Sequence, residues 1–181
     1  ISRMKMGMIT PAMLTESLNN PVISENTRLV SKIRDIALIY SEYEKTFGDD
    51  LLDPRDALTR LANQLPEKPF FENAVVFIDG YYTFTEQEYS VIKHIISQSK
   101  ETYISFNYEK GRDFFEENEK CASRIAKLAR GNYKDYEMNE PNRAKSKNLA
   151  FIERNIWKSN AGKLSGDDGS VRLFSAKNRF D

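Results

Sequence analysis

Five consecutive apolar residues, Ala74-Val75-Val76-Phe77-Ile78, run straight into Asp79. Gly80 and the aromatic turn Tyr81-Tyr82-Thr83-Phe84 follow, and then a helix start at Thr85. An unbroken apolar run of this length predicts a strand buried on both faces, hence parallel and flanked by helices. The stretch therefore commits the chain to an α/β class. In open α/β sheets the functional crevice lies beyond the carboxyl ends of the strands, and Asp79 falls at such an end. An acid there can hold a magnesium ion, directly or through its waters. It can equally end the strand and hydrogen-bond its own turn. Tyr81, Tyr82 and Phe84 carry the same ambiguity: they can stack on unpaired bases or pin the turn to the following helix.

The flanks support the class. Thr85-Glu86-Gln87-Glu88 is a capping box opening a helix over residues 85–99, with Tyr89, Ile92, Ile95 and Ile96 on its inner face. Residues 102–106 are β-prone, so strand, helix and strand predict a right-handed βαβ unit. His94, the single histidine, has no second ligand type at metal spacing and reads as a helix-surface residue. Upstream, Asp53-Pro54 signals a helix start, with Leu58, Leu61, Ala62 and Leu65 as its buried face and Pro66 and Pro69 closing it. The strongest helix spans residues 25–47. There Leu29, Ile33, Ile36, Tyr40, Tyr43 and Phe47, widened by Val30 and Ala37, form one stripe, and Gly48 ends it. Thr10-Pro11 predicts a cap and a short helix through Leu18, broken by Asn19-Asn20-Pro21. The alternation of Met4, Met6 and Met8 suggests a short strand before it.

Downstream, residues 113–130 predict a charged helix with Phe114, Cys121, Ile125 and Leu128 inward and Gly131 at its end. Cys121 has no activating partner in view and reads as core. Tyr136–Met138 and Val171–Phe174 are strand candidates. Ser146 caps a helix carrying Leu149, Ile152 and Ile156, flanked by Phe151 and Trp157. Residues 158–170 read as a polar surface loop. Within it, Ala161-Gly162-Lys163-Leu164-Ser165 is not a phosphate loop, because Trp157 stands where the first glycine must be and Leu164 follows the lysine.

Composition bounds the rest. Of 181 residues, 30% are charged and 40% hydrophobic, a globular composition of one domain or a large piece of one. No apolar run reaches the length of a membrane span. With one cysteine and no leader pattern, the expected compartment is the cytoplasm. The net charge is zero but uneven: residues 141–181 carry 9 basic and 4 acidic side chains. Lys145 and Lys147 in that stretch are candidates for a phosphate-facing surface. A start at Ile1 and a stop at Asp181, directly after Phe180, suggest a fragment of a longer protein.

Several stretches then line up in one order: Ala37-Leu38-Ile39-Tyr40-Ser41-Glu42-Tyr43-Glu44, the capped helix from Asp53 to Leu65, Val76-Phe77-Ile78-Asp79-Gly80 leading to Phe84-Thr85-Glu86-Gln87-Glu88, Met138 to Arg143, Leu149 to Trp157, and Val171 to Asn178. In that order they resemble the B subunit of the bacterial ATP-dependent helicase/deoxyribonuclease, the AddAB/RexAB type, over most of residues 26–181. The resemblance implies a superfamily 1 helicase-like region. Its fold would be a partial RecA-like parallel sheet flanked by helices, with an N-terminal helical insertion. Residues 1–70 would be the helical 1B-like insertion, 71–140 part of the first RecA-like domain (1A-like), and 141–181 the beginning of the second (2A-like).

The same resemblance implies a role in resecting broken DNA ends. The partner would be the companion A subunit of the heterodimer, and the substrate DNA. ATP and Mg2+ would be cofactors of the parent complex, with none for the fragment alone. Asp79 matches the first acid of the helicase Walker B motif. Gly80 replaces the glutamate that positions the attacking water, so no hydrolysis is expected. Thr83 stands where active relatives often carry a second Asp. Arg143 matches the arginine of motif IV, although Pro141-Asn142 precede it. Two other readings stay open: a small α/β metal-dependent enzyme using Asp79, and a protein–protein interaction module built on helix 26–47.

Overall fold

The computed structural model describes residues 1–47, 51–110, 113–138 and 145–178. The chain divides into two compact units, Ile1–Tyr133 and Lys134–Asp181.

In the first unit the elements are α1 (Ser2–Met6), α2 (Pro11–Ser17), α3 (Pro21–Ser24), α4 (Thr27–Phe47), a 3-10 turn (Pro54–Asp56), α5 (Ala57–Gln64), β1 (Val75–Ile78), α6 (Glu86–Gln98), β2 (Glu101–Ile104), a second 3-10 turn (Asp113–Phe115) and α7 (Glu116–Leu128). β1 and β2 pair in parallel, with Val75 opposite Glu101, Phe77 opposite Tyr103 and Ile78 opposite Ile104. This is the strand–helix–strand unit expected from residues 74–106, and the chain is a mixed α/β protein.

The helix starts follow their capping chemistry. Thr85 Oγ1 accepts from the Glu88 amide while the Glu88 carboxylate accepts from the Thr85 amide at 2.6 Å. Thr10 accepts from the Met13 amide and Asp53 from the Arg55 amide. Each contact satisfies a backbone donor that the first turn leaves without a partner. Asn20-Pro21 stops α2 and also starts α3, because Asn20 Oδ1 accepts from the Val22 amide.

α6 is the centre of the core. One cluster joins Ala62 and Leu65 to Val91 and Ile95, with Phe71, Val76 and Ile78 against it. The other joins Tyr89 and Ile92 to Cys121 and Ile125, with Phe84, Ile104 and Phe106 against it. Two glutamines of α6 tie it to the preceding helical segment. Gln87 Nε2 donates to the Arg55 carbonyl at 2.8 Å, and Gln98 Nε2 donates to the Leu65 carbonyl at 2.5 Å.

Several expectations are corrected. Residues 2–6 are helical, not a strand: Arg, Met and Lys are good helix formers, and the buried residue is Lys5 rather than the alternating methionines. Among the described residues β1 is covered on one face only. Val76 and Ile78 turn inward, whereas Val75 and Phe77 are exposed, Phe77 stacking on Tyr103 at 4.9 Å. On α4 the buried residues are Ala37 and Tyr40, while Leu29 and Ile36 are exposed. On α5 the inner face narrows to Ala62 and Leu65, leaving Leu58 and Leu61 exposed.

Phe114 is exposed in the 3-10 turn ahead of α7, where the tighter winding departs from the α-helical spacing that would have aligned it with Cys121 and Ile125. Tyr136–Met138 and Val171–Phe174 form no strand; neither has a neighbouring strand among the described residues, and an isolated β-prone segment cannot satisfy its backbone. His94 is half-buried on α6. Gly48 lies outside the described residues.

In the second unit α8 (Lys147–Asn155) carries the expected Ser146 cap, whose Oγ accepts from the Leu149 amide at 3.1 Å. No helix among the described residues is long and apolar enough to cross a membrane.

Candidate functional site

Asp79 leaves the end of β1 with its side chain exposed, and its carboxylate accepts a hydrogen bond from the Ser105 hydroxyl, one residue beyond the end of β2. The ladder continues there, since the Ser105 amide donates to the Ile78 carbonyl at 3.0 Å. Parallel register therefore places an acid and a hydroxyl side by side at the carboxyl ends of both strands. Gly80 follows with φ +84°. A Cβ at Gly80 would meet nothing within 4 Å, so the constraint is backbone rather than space. A glutamate in this left-handed conformation would be strained, and the turn suits the glycine that the sequence carries.

The three rings of the turn part company. Phe84 is half-buried, with Tyr81, Tyr89 and Phe106 at centroid distances of 5.1, 5.7 and 6.3 Å. Tyr81 and Tyr82 are exposed. The main chain at Tyr82 is held from across the fold: Asn118 Nδ2 of α7 donates to the Tyr82 carbonyl at 3.3 Å. Beside the turn, Arg124 of α7 makes a two-bond fork to Glu86 at 2.5 Å and lies 3.8 Å over the Tyr89 ring. The fork to Arg124 holds the Glu86 carboxyl below its usual range. Burial, with the 3.1 Å bond from its hydroxyl to Cys121 Sγ, pushes the Tyr89 phenol up. Cys121 is buried, as expected of a core residue.

Magnesium and nucleotide are implied by the family resemblance. At the end of β1 the described residues offer one carboxylate, already bonded to Ser105, and a glycine beside it. Among the described residues no group of three His, Cys, Asp or Glu side chains converges as metal ligands would. One carboxylate beside a glycine is less than the acid pair that the resemblance implies for a magnesium–nucleotide site.

In the second unit Lys145 and Lys147 are exposed on either side of Ser146. Arg143 lies outside the described residues. An acid already occupies the α8 N-terminus. Asp168 Oδ2 accepts from Ser146 Oγ at 2.7 Å and from the Asn148 amide at 3.4 Å, and its Oδ1 accepts from Ser170. The bonds from Ser170 and Ser146 hold the Asp168 carboxyl well below the ordinary range. A carboxylate at the positive end of a helix is a favourable arrangement.

Sequence reasoning missed the most buried charge among the described residues. Lys5 Nζ lies 2.5 Å from Asp56, 2.7 Å from Glu44 and 3.0 Å from Asp53, with the Tyr40 and Tyr43 rings beneath it at 5.9 and 5.5 Å. Tyr43 donates to Asp53 at 2.9 Å. Burial works to lower the Lys5 pKa, but the bonds to Asp56, Glu44 and Asp53 outweigh it and hold the ammonium above its usual value. Burial likewise works to raise Asp53. The Arg55 amide and the Lys5 and Tyr43 side chains override it, and its carboxyl sits well below the usual range. Asp53 was legible as a helix cap; its second role was not. Asn118 and Ser105 carried no sequence signal beyond their type.

The curated relatives that this chain resembles are each named as the B subunit of an ATP-dependent helicase/deoxyribonuclease. That of Desulforudis audaxviator is 29% identical over 192 aligned positions, covering 99% of this chain and 16% of the relative. That of Moorella thermoacetica is 36% identical over 107 positions, covering 58% of this chain and 9% of the relative. That of Alkaliphilus oremlandii is 28% identical, with 99% and 16% covered. The chain thus spans about a sixth of the length of the relatives that it matches from end to end. The family described as "ADDB, N-terminal" matches residues 1–153. With that match over most of its length, the chain belongs to the AddB N-terminal family.

Proposed function

We propose that this chain is a helicase-like part of the B subunit of an ATP-dependent helicase/deoxyribonuclease. In this reading it is a scaffold that does not hydrolyse ATP and contacts single-stranded DNA during resection of double-strand breaks for recombinational repair. The family match and relatives named as B subunits of an ATP-dependent helicase/deoxyribonuclease support the place in that subunit. One observation carries the non-hydrolysing part: at the strand end that should bear an acid pair, Asp79 is followed by Gly80 at φ +84°. Without a side chain there, nothing orients an attacking water.

The parent assembly would use ATP and Mg2+, act in the cytoplasm and join this polypeptide to the companion A subunit. Within it residues 1–70 would serve as the 1B-like insertion, 71–140 as part of the first RecA-like domain and 141–181 as the beginning of the second. Exposed Tyr81 and Tyr82 offer π-faces to unpaired bases. Phe84 packs against the Tyr81 ring. Lys145, Lys147 and Arg143 supply charge for phosphates, while Asp79 and Arg143 are remnants of nucleotide contacts.

Fluorescence anisotropy of a labelled single-stranded oligonucleotide at about 50 and 200 mM salt tests the DNA contact. Affinity should fall as salt rises, and the Arg143→Ala, Lys145→Ala, Lys147→Ala variant should show a shallower salt slope, as about 0.7 per lost phosphate contact predicts. Absence of binding at low salt would remove the DNA contact. ATP turnover by the chain that is lost in Asp79→Asn would overturn the scaffold reading.

A further inference from the structure

We propose that Asn118 is a positioning residue that presents Tyr82 as a preformed stacking contact for an unpaired base. The proposal rests on the single-strand contact proposed above and specifies its chemistry.

The turn from Asp79 to Thr85 is held at nearly every residue. Asp79 is bonded to Ser105. Gly80 makes the left-handed bend that only glycine takes without strain. The Tyr81 ring lies against Phe84, and Phe84 is wedged between Tyr89 and Phe106. Thr85 is locked in its capping box. Within this frame Tyr82 is the odd residue. The residue is 69% exposed, and its ring stacks on no other ring among the described residues. An exposed tyrosine on a loose loop would be unremarked, because ordering the loop would consume most of what stacking returns. Here the main chain is already ordered, so a base meeting the ring immobilises only the ring's own rotamers.

The restraint at Tyr82 itself comes from Asn118. It lies on the inward stripe of α7 with Cys121 and Ile125, where an apolar residue is the rule, and it is buried. A buried amide is costly unless hydrogen-bonded. Its Nδ2 spends that bond on the Tyr82 carbonyl, 36 residues away. A polar residue that breaks the inward pattern and reaches to a turn carrying an unstacked, exposed tyrosine fits positioning better than packing.

A double-mutant cycle tests this, read by anisotropy of a single-stranded oligonucleotide and by hydrogen exchange of residues 80–85. Tyr82→Ala should weaken binding about tenfold without changing the salt slope, since stacking is uncharged. Asn118→Ala should weaken it several-fold, accelerate exchange in the turn, and leave the thermal midpoint close to wild type. Asn118→Ala combined with Tyr82→Ala should bind no worse than Tyr82→Ala alone, because a residue acting through Tyr82 has nothing left to position. If Asn118→Ala unfolds the chain, Asn118→Leu, which keeps the size and suits the apolar stripe but loses the donor, carries the same cycle. Additive losses, or an Asn118 variant that binds like wild type while Tyr82→Ala is weakened, would overturn positioning and leave the DNA contact standing. A Tyr82→Ala variant that binds like wild type, or a wild-type chain that does not bind, would overturn the stacking contact together with the inference built on it.

Discussion

Lys5 shows how much one side chain can bind together. It joins α1 to α4 and to the 3-10 turn before α5 by meeting Glu44, Asp53 and Asp56 at once. Lys5→Met should destabilise the first unit by about 3 kcal/mol, because it takes the ammonium from the buried Asp53 carboxylate and leaves it beside the part-exposed Glu44 and Asp56; urea unfolding measures this. The pH dependence has a defined sign. Asp53, lowered in the fold, contributes stability that is present above its unfolded value near about 3.9 and is lost as pH falls through the folded value. Lys5, raised in the fold, contributes stability that is present below its unfolded value near about 10.4 and is lost as pH rises through the folded value. The thermal midpoint should therefore hold between these limits and fall in acid. In Lys5→Met the acid fall should shrink or reverse, because protonation then relieves repulsion among the three carboxylates.

At the scale of elements, α6 organises the first unit, and its start is the best-specified point of the chain. Thr85→Ala removes the cap and one half of the reciprocal pair, and should cost about 1 kcal/mol. Thr85→Ser should restore most of it in the same unfolding assay. The helix starts at Thr10, Asp53, Thr85 and Ser146 were all legible, since capping needs only the local residue and two or three neighbours. The strands were legible where a partner existed and failed where none did: Val75–Ile78 and Glu101–Ile104 pair, while Val171–Phe174 has comparable β-propensity and no strand beside it among the described residues. The methionine alternation failed because a period of two over so few residues is weak against good helix propensity. At the candidate site, the position of Asp79 at a strand end was readable from the apolar run. Its bond to Ser105 was not, because strand register is a long-range fact.

For the whole molecule, a parallel pair with one face exposed among the described residues is the unusual feature. Val75, Phe77 and Tyr103 stand exposed on it. A two-stranded sheet is marginal alone, and open apolar faces and edges invite association. The chain should self-associate with rising concentration in sedimentation, and Phe77→Lys should raise the monomer fraction without lowering the thermal midpoint.

The sequence by itself determined the α/β class, the helix starts, the parallel pairing of two strands and the glycine that follows Asp79. These depend on neighbours in the chain, on turn chemistry and on hydrophobic period. Tertiary structure decided which face of β1 is bare, where Lys5 finds its three carboxylates, which ring of the turn packs, and that Asn118 holds the main chain at Tyr82. The polar ones among those outcomes turn on contacts between residues 26 to 51 positions apart, and no local pattern encodes which distant partner a buried polar group will find.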